Sequence, residues 1–243
     1  MQAKRQSNTT QIKDMIFNGD ENCNDTGDTS ALTLFSRPYY EPEQIPDDGV
    51  FYPATFWGRN VVVDSCVIDG RGFAEGLKIS FGHNIIVRDC IIHGGYEDCV
   101  DIVRGANISF IRCQFISYNS KQHITIKGGA RDITIHSCEF VNKFHKWYNG
   151  ALVDIGNWSD YDIIHRPKTR NILIKKCKLT NIEFKLLSRT IFGNNLTVIK
   201  TPGFNLKIPS IITWLFFRLR KSGKLGPVAD VSSVDRRIYN IEK

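Results

Sequence analysis

The chain has 243 residues, a formal net charge of +7 and 42% hydrophobic residues, which suits one domain with a sizeable core. No apolar run approaches the roughly 18 residues that a membrane-spanning helix needs, and the first residues lack the charged and apolar regions of a secretory signal. These features exclude a membrane span, and we expect a soluble monomer without a signal peptide.

Residues 1–50 are rich in the turn-forming residues Asn, Asp, Gly and Pro and show no regular repeat. This composition predicts an irregular N-terminal segment that caps the following part of the chain.

From residue 51 to 205 one short sequence motif recurs. In five copies, Asn or Asp precedes a run in which apolar residues alternate with other residues, and a cysteine follows the run. The cysteines are Cys66, Cys90, Cys113, Cys138 and Cys177. Period-two runs of β-branched residues indicate short strands, and a repeat of this length indicates a solenoid. We predict an all-β fold, a single-stranded right-handed parallel β-helix of about six coils. The cysteines occupy inward positions and should be buried, reduced thiols rather than disulfides or metal ligands.

Residues 206–243 follow the last repeat. After Pro209, an apolar and basic run over residues 210–221 predicts an amphipathic helix that caps the C-terminal end. Attachment of this helix to a membrane surface is the alternative.

Charged residues recur on the strand that precedes each copy of this motif. The alternation of inward and outward side chains along these strands places four of them on one outer face: Lys78, Asp101, Lys127 and Asp154. Five further residues precede these strands and should lie close to that face: Glu75, Glu97, Asp98, Lys121 and His123. Residues 166–224 are strongly basic, a charge that suits a long anionic partner. We expect an acidic polysaccharide rather than nucleic acid, because the motifs of nucleic-acid readers are missing.

The acidic residues could hold a metal. Glu75, Glu97 and Asp101 could supply oxygen ligands to Ca²⁺, which would bind a uronate carboxylate and acidify the adjacent carbon. A base among the neighbouring lysines and His123 could then remove the proton.

These residues resemble a known family. The residues concerned are Glu75-Gly-Leu-Lys-Ile79, the copy of the repeated motif that ends in Cys90, the acidic run from Glu97 to Asp101, and Lys121. They are similar to the pectate lyases of the right-handed parallel β-helix superfamily, over about residues 75–130. The resemblance implies calcium-assisted β-elimination, with Glu75, Glu97 and Asp101 on the metal. It also implies that Lys121 contacts the substrate. From their positions along the stacked strands, we expect Lys78, Asp98, Lys127 and Asp154 to bind the substrate as well. The arginine segment of that family is absent at its usual place, so the base is sought among His123, Arg166 and Arg189.

Two alternatives stay open. Glu75, the Glu97-Asp98 pair and His123 also resemble the inverting polygalacturonase-like hydrolases, which use acids and a histidine to activate water. A β-helix that binds glycan or builds a fibre without catalysis is the other alternative. Secretion, or virus-encoded action on an extracellular glycan, would suit each of these roles, and the sequence does not decide the compartment.

Overall fold

The computed structural model describes residues 9–19, 30–36, 54–72, 74–94, 98–117, 122–143, 153–156, 169–182, 187–190, 196–199 and 207–209. These ranges contain 21 β-strands and no α-helix. The predicted all-β class is therefore confirmed for the described part of the chain.

Most strands belong to three parallel sheets, which we call sheets A, B and C. Sheet A contains β1 (Thr10–Lys13), β5 (Arg59–Asp64), β8 (His83–Arg88), β11 (Ala106–Ile111), β14 (Arg131–His136), β17 (Arg170–Lys175) and β20 (Leu196–Ile199). Sheet B contains β2 (Ile16–Asn18), β6 (Val67–Asp69), β9 (Ile91–Gly94), β12 (Gln114–Ser117), β15 (Glu139–Asn142) and β18 (Lys178–Thr180). Sheet C contains β4 (Thr55–Trp57), β3 (Ser30–Phe35), β7 (Glu75–Ser80), β10 (Val100–Val103), β13 (Ile124–Lys127) and β16 (Val153–Gly156). A small fourth sheet pairs β19 (Leu187–Thr190) with β21 (Lys207–Pro209).

The chain visits the three large sheets in a fixed order. After β5 in sheet A come β6 in sheet B and β7 in sheet C, and β8 then returns to sheet A as the neighbour of β5. Neighbouring strands match residue for residue, so that Val61 lies opposite Ile85 and Ile85 opposite Ile108. Each circuit from β5 to β16 thus adds one strand to every large sheet, a topology consistent with a parallel β-helix.

Single residues with positive φ form the corners of the coils. One set lies at the second residue of the sheet A strands and the other immediately before the cysteines. The first set is Asn60, Asn84, Asn107, Asp132 and Asn171, and the second is Ser65, Asp89, Arg112, Ser137 and Lys176. Asn and Asp tolerate this left-handed conformation better than most residues, which explains their recurrence. The amides also form a ladder, because Nδ2 of Asn84 donates to Oδ1 of Asn60 and Nδ2 of Asn107 to Oδ1 of Asn84, each at 2.9 Å.

Columns of apolar side chains fill the interior. Two columns from sheet A are Val61, Ile85, Ile108, Ile133 and Ile172, and Val63, Val87, Phe110, Ile135 and Ile174. The ring centroid of Phe115 lies 5.6 Å from that of Phe110 and 5.2 Å from that of Phe140. One coil cannot bury its apolar face alone, so the core depends on stacking in register.

The five repeat cysteines form a buried column at the corner between sheets A and B, as the sequence predicts. None of them forms a disulfide. The thiol of Cys90 lies 3.1 Å from the carbonyl oxygen of Arg88 and 3.7 Å from that of Val63 in the preceding coil. The same pair of contacts recurs at the other four cysteines. Each thiol is therefore a small apolar group that also offers a proton to corner carbonyls.

The sheets begin within the N-terminal segment. Strands β1, β2 and β3 pair with β5, β6 and β7, so the coiled region reaches back to Thr10, within the segment 1–50 predicted as a cap. The helix predicted over residues 210–221 lies outside the described residues. Within the described ranges, no helix has the length and apolar character needed to cross a bilayer.

Burial of the thiols leads to a chemical prediction. In a Cys23→Ser background, we expect a thiol-specific disulfide reagent to modify none of the six described cysteines until the protein is unfolded. They are buried, so the reagent cannot reach them. Burial also raises the pKa of Cys66 and Cys99. Hydrogen bonding from Cys138, in contrast, lowers the pKa of Cys113 to about 4. Exclusion of the reagent is therefore what protects the thiols of the column. A cysteine introduced at the exposed Ile86 should react at once and serves as the control. Fast labelling of repeat cysteines in native protein would contradict the buried column.

Candidate functional site

The outer face of sheet C is unusual because it buries polar side chains. The outward residues Thr33, Asp101 and Thr125 are 2%, 1% and 8% exposed, whereas Ile86 on the outer face of sheet A is 39% exposed. Buried polar groups are costly unless they find partners or ligands. Sheet C is therefore where a functional site is expected.

A close approach of the backbone accompanies the placement of Glu75. A Cβ at the next residue, Gly76, would lie 2.6 Å from the carbonyl oxygen of Cys99 and 2.8 Å from that of His93. Only glycine fits there, so the start of β7 can pack directly on the next coil. Oε2 of Glu75 then lies 3.5 Å from Nζ of Lys78.

Two lysines and two carboxylates form ion pairs on this face. Nζ of Lys78 lies 3.5 Å from Oε2 of Glu75 and 3.5 Å from Oδ2 of Asp101. Nζ of Lys127 lies 3.1 Å from the same oxygen of Asp101. Asp98 is buried close enough for its charge to act on Glu75. We call these five residues the carboxylate–lysine cluster.

Burial and neighbouring charge favour the protonated form of one carboxyl of the cluster. Burial, followed by the negative charge of Asp101, raises the pKa of Glu75 well above its ordinary value of 4.5. Burial lowers the pKa of Lys127, but the carboxylates of Asp101 and Glu75 outweigh this effect and raise it overall. Glu75 can therefore donate a proton beside a lysine that keeps its charge.

Three buried oxygen atoms on this face lack a hydrogen-bond partner among the described residues: Oδ1 and Oδ2 of Asp101 and Oγ1 of Thr125. Both lysines contact Oδ2 of Asp101, whereas Oδ1 has no hydrogen bond to a described residue. Oγ1 of Thr125, on the strand opposite, also has no hydrogen-bond partner in this part of the chain. Because each unpaired buried polar atom costs about 1–3 kcal/mol, Oδ1 of Asp101 and Oγ1 of Thr125 mark a position for a polar guest.

The residues predicted for one outer face lie at two different levels of sheet C. Lys78, Asp101 and Asp154 occupy equivalent positions of their strands, as expected. The residue level with Asp101 and Asp154 is Thr125, and Lys127 lies two residues further along β13. Lys127 still reaches Asp101 through its long side chain.

The structure places His123 in the interior. Its side chain is buried, its Nε2 lies 2.9 Å from the carbonyl oxygen of Val141, and its ring packs edge-on against Phe140. Burial lowers the pKa of His123 to about 4. A catalytic base must reach the substrate, so this position argues against the predicted role of His123 as base.

Other predicted site residues lie beyond what the structure describes. Glu97, Lys121 and Arg166 fall outside the described ranges, and Arg189 lies in β19 with its side chain undescribed. The side chain of Asp154 is likewise undescribed. The roles predicted for these five residues stay predictions.

The described side chains do not by themselves suit a calcium ion. Ca²⁺ takes six to eight oxygen ligands, and the ammonium group of Lys78 already pairs with both Glu75 and Asp101. In the described ranges, no group of three or more His, Cys, Asp or Glu side chains could hold a metal. The predicted calcium site, which includes Glu97, stays a prediction.

Comparisons with known proteins assign no family. No family model, no curated protein and no solved structure matches this chain. The resemblance of residues 75–130 to pectate lyases therefore stays a prediction from sequence motifs.

Removal of the shared lysine tests the cluster. We expect Lys78→Met to lower the free energy of unfolding by about 3 kcal/mol, because breaking a buried ion pair leaves its carboxylate partners uncompensated. Lys178→Met is the matched control, since Lys178 is 72% exposed beside Glu139 and should contribute less than about 1 kcal/mol. Urea denaturation at neutral pH measures both variants. Equal losses would show that the cluster is not buried.

Glu75 should also make stability depend on pH. Because its pKa is raised on folding, its contribution is fully present below pH 4.5 and is lost as the pH rises towards the raised pKa. Glu75→Gln stays neutral at every pH, so its stability relative to wild type should increase over that window. Denaturation curves at stepped pH measure the difference. A difference that does not change with pH would contradict the raised pKa.

Proposed function

We propose that this protein binds an acidic, uronate-containing polysaccharide against the outer face of sheet C and cleaves it by β-elimination. The carboxylate–lysine cluster carries the proposal. Lys78 and Lys127 are 12% and 21% exposed, whereas the carboxylates of Glu75 and Asp101 are almost fully buried. A ligand arriving from solvent therefore meets the ammonium groups first, and these attract an anion.

The lysines would neutralise a uronate carboxylate. Pairing with an ammonium group withdraws charge from the carboxylate and makes the proton on the adjacent carbon easier to remove. The net positive charge of the chain would steer a polyanion towards the protein. Lys121 is proposed as a further contact to substrate carboxylates, as the resemblance to pectate lyases implies.

The elimination needs one base and one acid. The base removes the proton from carbon 5 of the uronate, the electron pair forms the double bond between carbons 4 and 5, and the bond to the leaving oxygen breaks. Glu75 suits the acid role, because its raised pKa keeps a proton for the leaving oxygen. Arg166 or Arg189 is proposed as the base.

The proposal includes the finer features of the predicted fold. Right-handed winding is expected because parallel crossovers are right-handed in nearly all proteins. Six coils would offer a face of about 29 Å, long enough for several sugar units. The helix over residues 210–221 would close the C-terminal end of a soluble monomer.

Inverting hydrolysis is the second candidate, and the state of Glu75 favours it. A neutral carboxyl and an ionised one flank the scissile bond in such enzymes, about 6.5–9.5 Å apart. Glu75 and Asp101 each lie 3.5 Å from Nζ of Lys78, so these oxygens are separated by at most twice that distance. Glu75 would protonate the leaving oxygen and Asp101 would activate water.

An assay on polygalacturonate and alginate distinguishes the reactions. We expect the ultraviolet absorbance of an unsaturated uronide, reduced by about 100-fold or more in Glu75→Gln, because this variant lacks the proposed acid. The control Asp132→Asn, at an exposed carboxylate of sheet A, should retain full activity. Inhibition by a chelator would support the calcium site that includes Glu97.

The other outcomes are equally clear. New reducing ends without the absorbance would favour hydrolysis. Binding without any product would leave a glycan-binding role and would contradict catalysis.

A further inference from the structure

We infer that Asp101 and Thr125 bind two neighbouring hydroxyl groups of the bound sugar and that this diol contact selects the sugar. The inference rests on the proposed function for the acidic nature of the polymer. The diol itself is inferred from two buried atoms without hydrogen-bond partners among the described residues, Oδ1 of Asp101 and Oγ1 of Thr125.

The two atoms belong to one place on the fold. Asp101 and Thr125 are directly opposite each other on β10 and β13, with backbones about 4.8 Å apart, the spacing of adjacent strands. Both side chains are at least nine-tenths buried on the outer side of sheet C. A guest that reaches one of them can therefore reach the other.

The two oxygens of the Asp101 carboxylate have different contacts. Both lysines contact Oδ2, and Oδ1 has no hydrogen-bond partner among the described residues. A carboxylate oxygen accepts hydrogen bonds, whereas a threonine hydroxyl both donates and accepts. One sugar hydroxyl can donate to Asp101 while its neighbour exchanges a hydrogen bond with Thr125.

Thr33 shows that the fold can satisfy a buried hydroxyl in this column. It lies opposite Lys78 on the neighbouring strand, and its Oγ1 is 2.8 Å from Oγ of Ser30. Thr125 has no such partner among the described residues. The contrast indicates that the hydroxyl of Thr125 serves a guest rather than the fold.

Stability and binding should therefore respond to Thr125→Val in opposite directions. Valine keeps the shape of threonine and removes the unpaired hydroxyl, so the ligand-free variant should be at least as stable as its parent. The same change should weaken binding of a hydroxyl-bearing sugar by about tenfold. A purely structural hydroxyl would instead lower stability and leave binding unchanged.

The experiment uses calorimetric titration in a Glu75→Gln background, which prevents turnover by removing the proposed acid. The probes are digalacturonate, the neutral disaccharide galactobiose, and digalacturonate with its hydroxyls acetylated. Thr125→Val should weaken binding of the first two about tenfold, and it should make no difference for the acetylated probe. Thr134→Val is the matched control, because Thr134 is an outward residue of sheet A, and it should change nothing.

Each outcome decides between the two proposals. If the parent binds galactobiose but not digalacturonate, and Thr125→Val loses that binding, the diol contact stands and the acidic substrate is wrong. If Thr125→Val binds every probe as its parent does, the diol contact is overturned and the acidic substrate stands. If the parent binds neither hydroxyl-bearing probe, or if Thr125→Val is less stable than Thr134→Val without ligand, the diol contact is overturned.

Discussion

Residue-for-residue register between successive parallel coils is the constraint on which this structure depends. It places Val61, Ile85 and Ile108 in one buried column, and it aligns the amides of the corner ladder within hydrogen-bonding distance. A shift of one residue in any strand would turn its apolar side chains to the outside. The core, the corners and the polar face of sheet C therefore form together or not at all.

The same register makes the polar face possible and costly. Stacked coils would bring like charges together at equivalent positions, but here Lys78 is followed by Asp101 and then by the neutral Thr125. Lys127 adds the second positive charge from two residues further along its strand. Burial of these charged and polar residues suits recognition better than stability. Desolvation offsets much of the attraction within buried ion pairs, and Oδ1 of Asp101 and Oγ1 of Thr125 have no hydrogen-bond partner among the described residues.

Much of this arrangement could be predicted from sequence, because the repeats reveal which residues are equivalent. The buried cysteine column and the outward positions of Lys78 and Asp101 follow from the period-two alternation. The two-residue offset of Lys127 from the level of Asp101 could not be predicted in this way. Three residues separate β13 from β14, whereas two separate β10 from β11, and Gly128 and Gly129 with positive φ turn the longer corner. The interior position of His123 could not be predicted, because alternation does not apply before a strand begins. The absence of partners for Thr125 is a property of packing and leaves no sequence signal.

Measurement of the pKa of Glu75 by carbon NMR tests the account most directly. The raised pKa depends on the register of the strands, on burial and on the neighbouring charges of the cluster together. The account predicts a carboxyl pKa well above 4.5 that falls when Asp101→Asn removes the neighbouring charge. Titration of Glu75 at its ordinary value, unchanged by that substitution, would contradict the account.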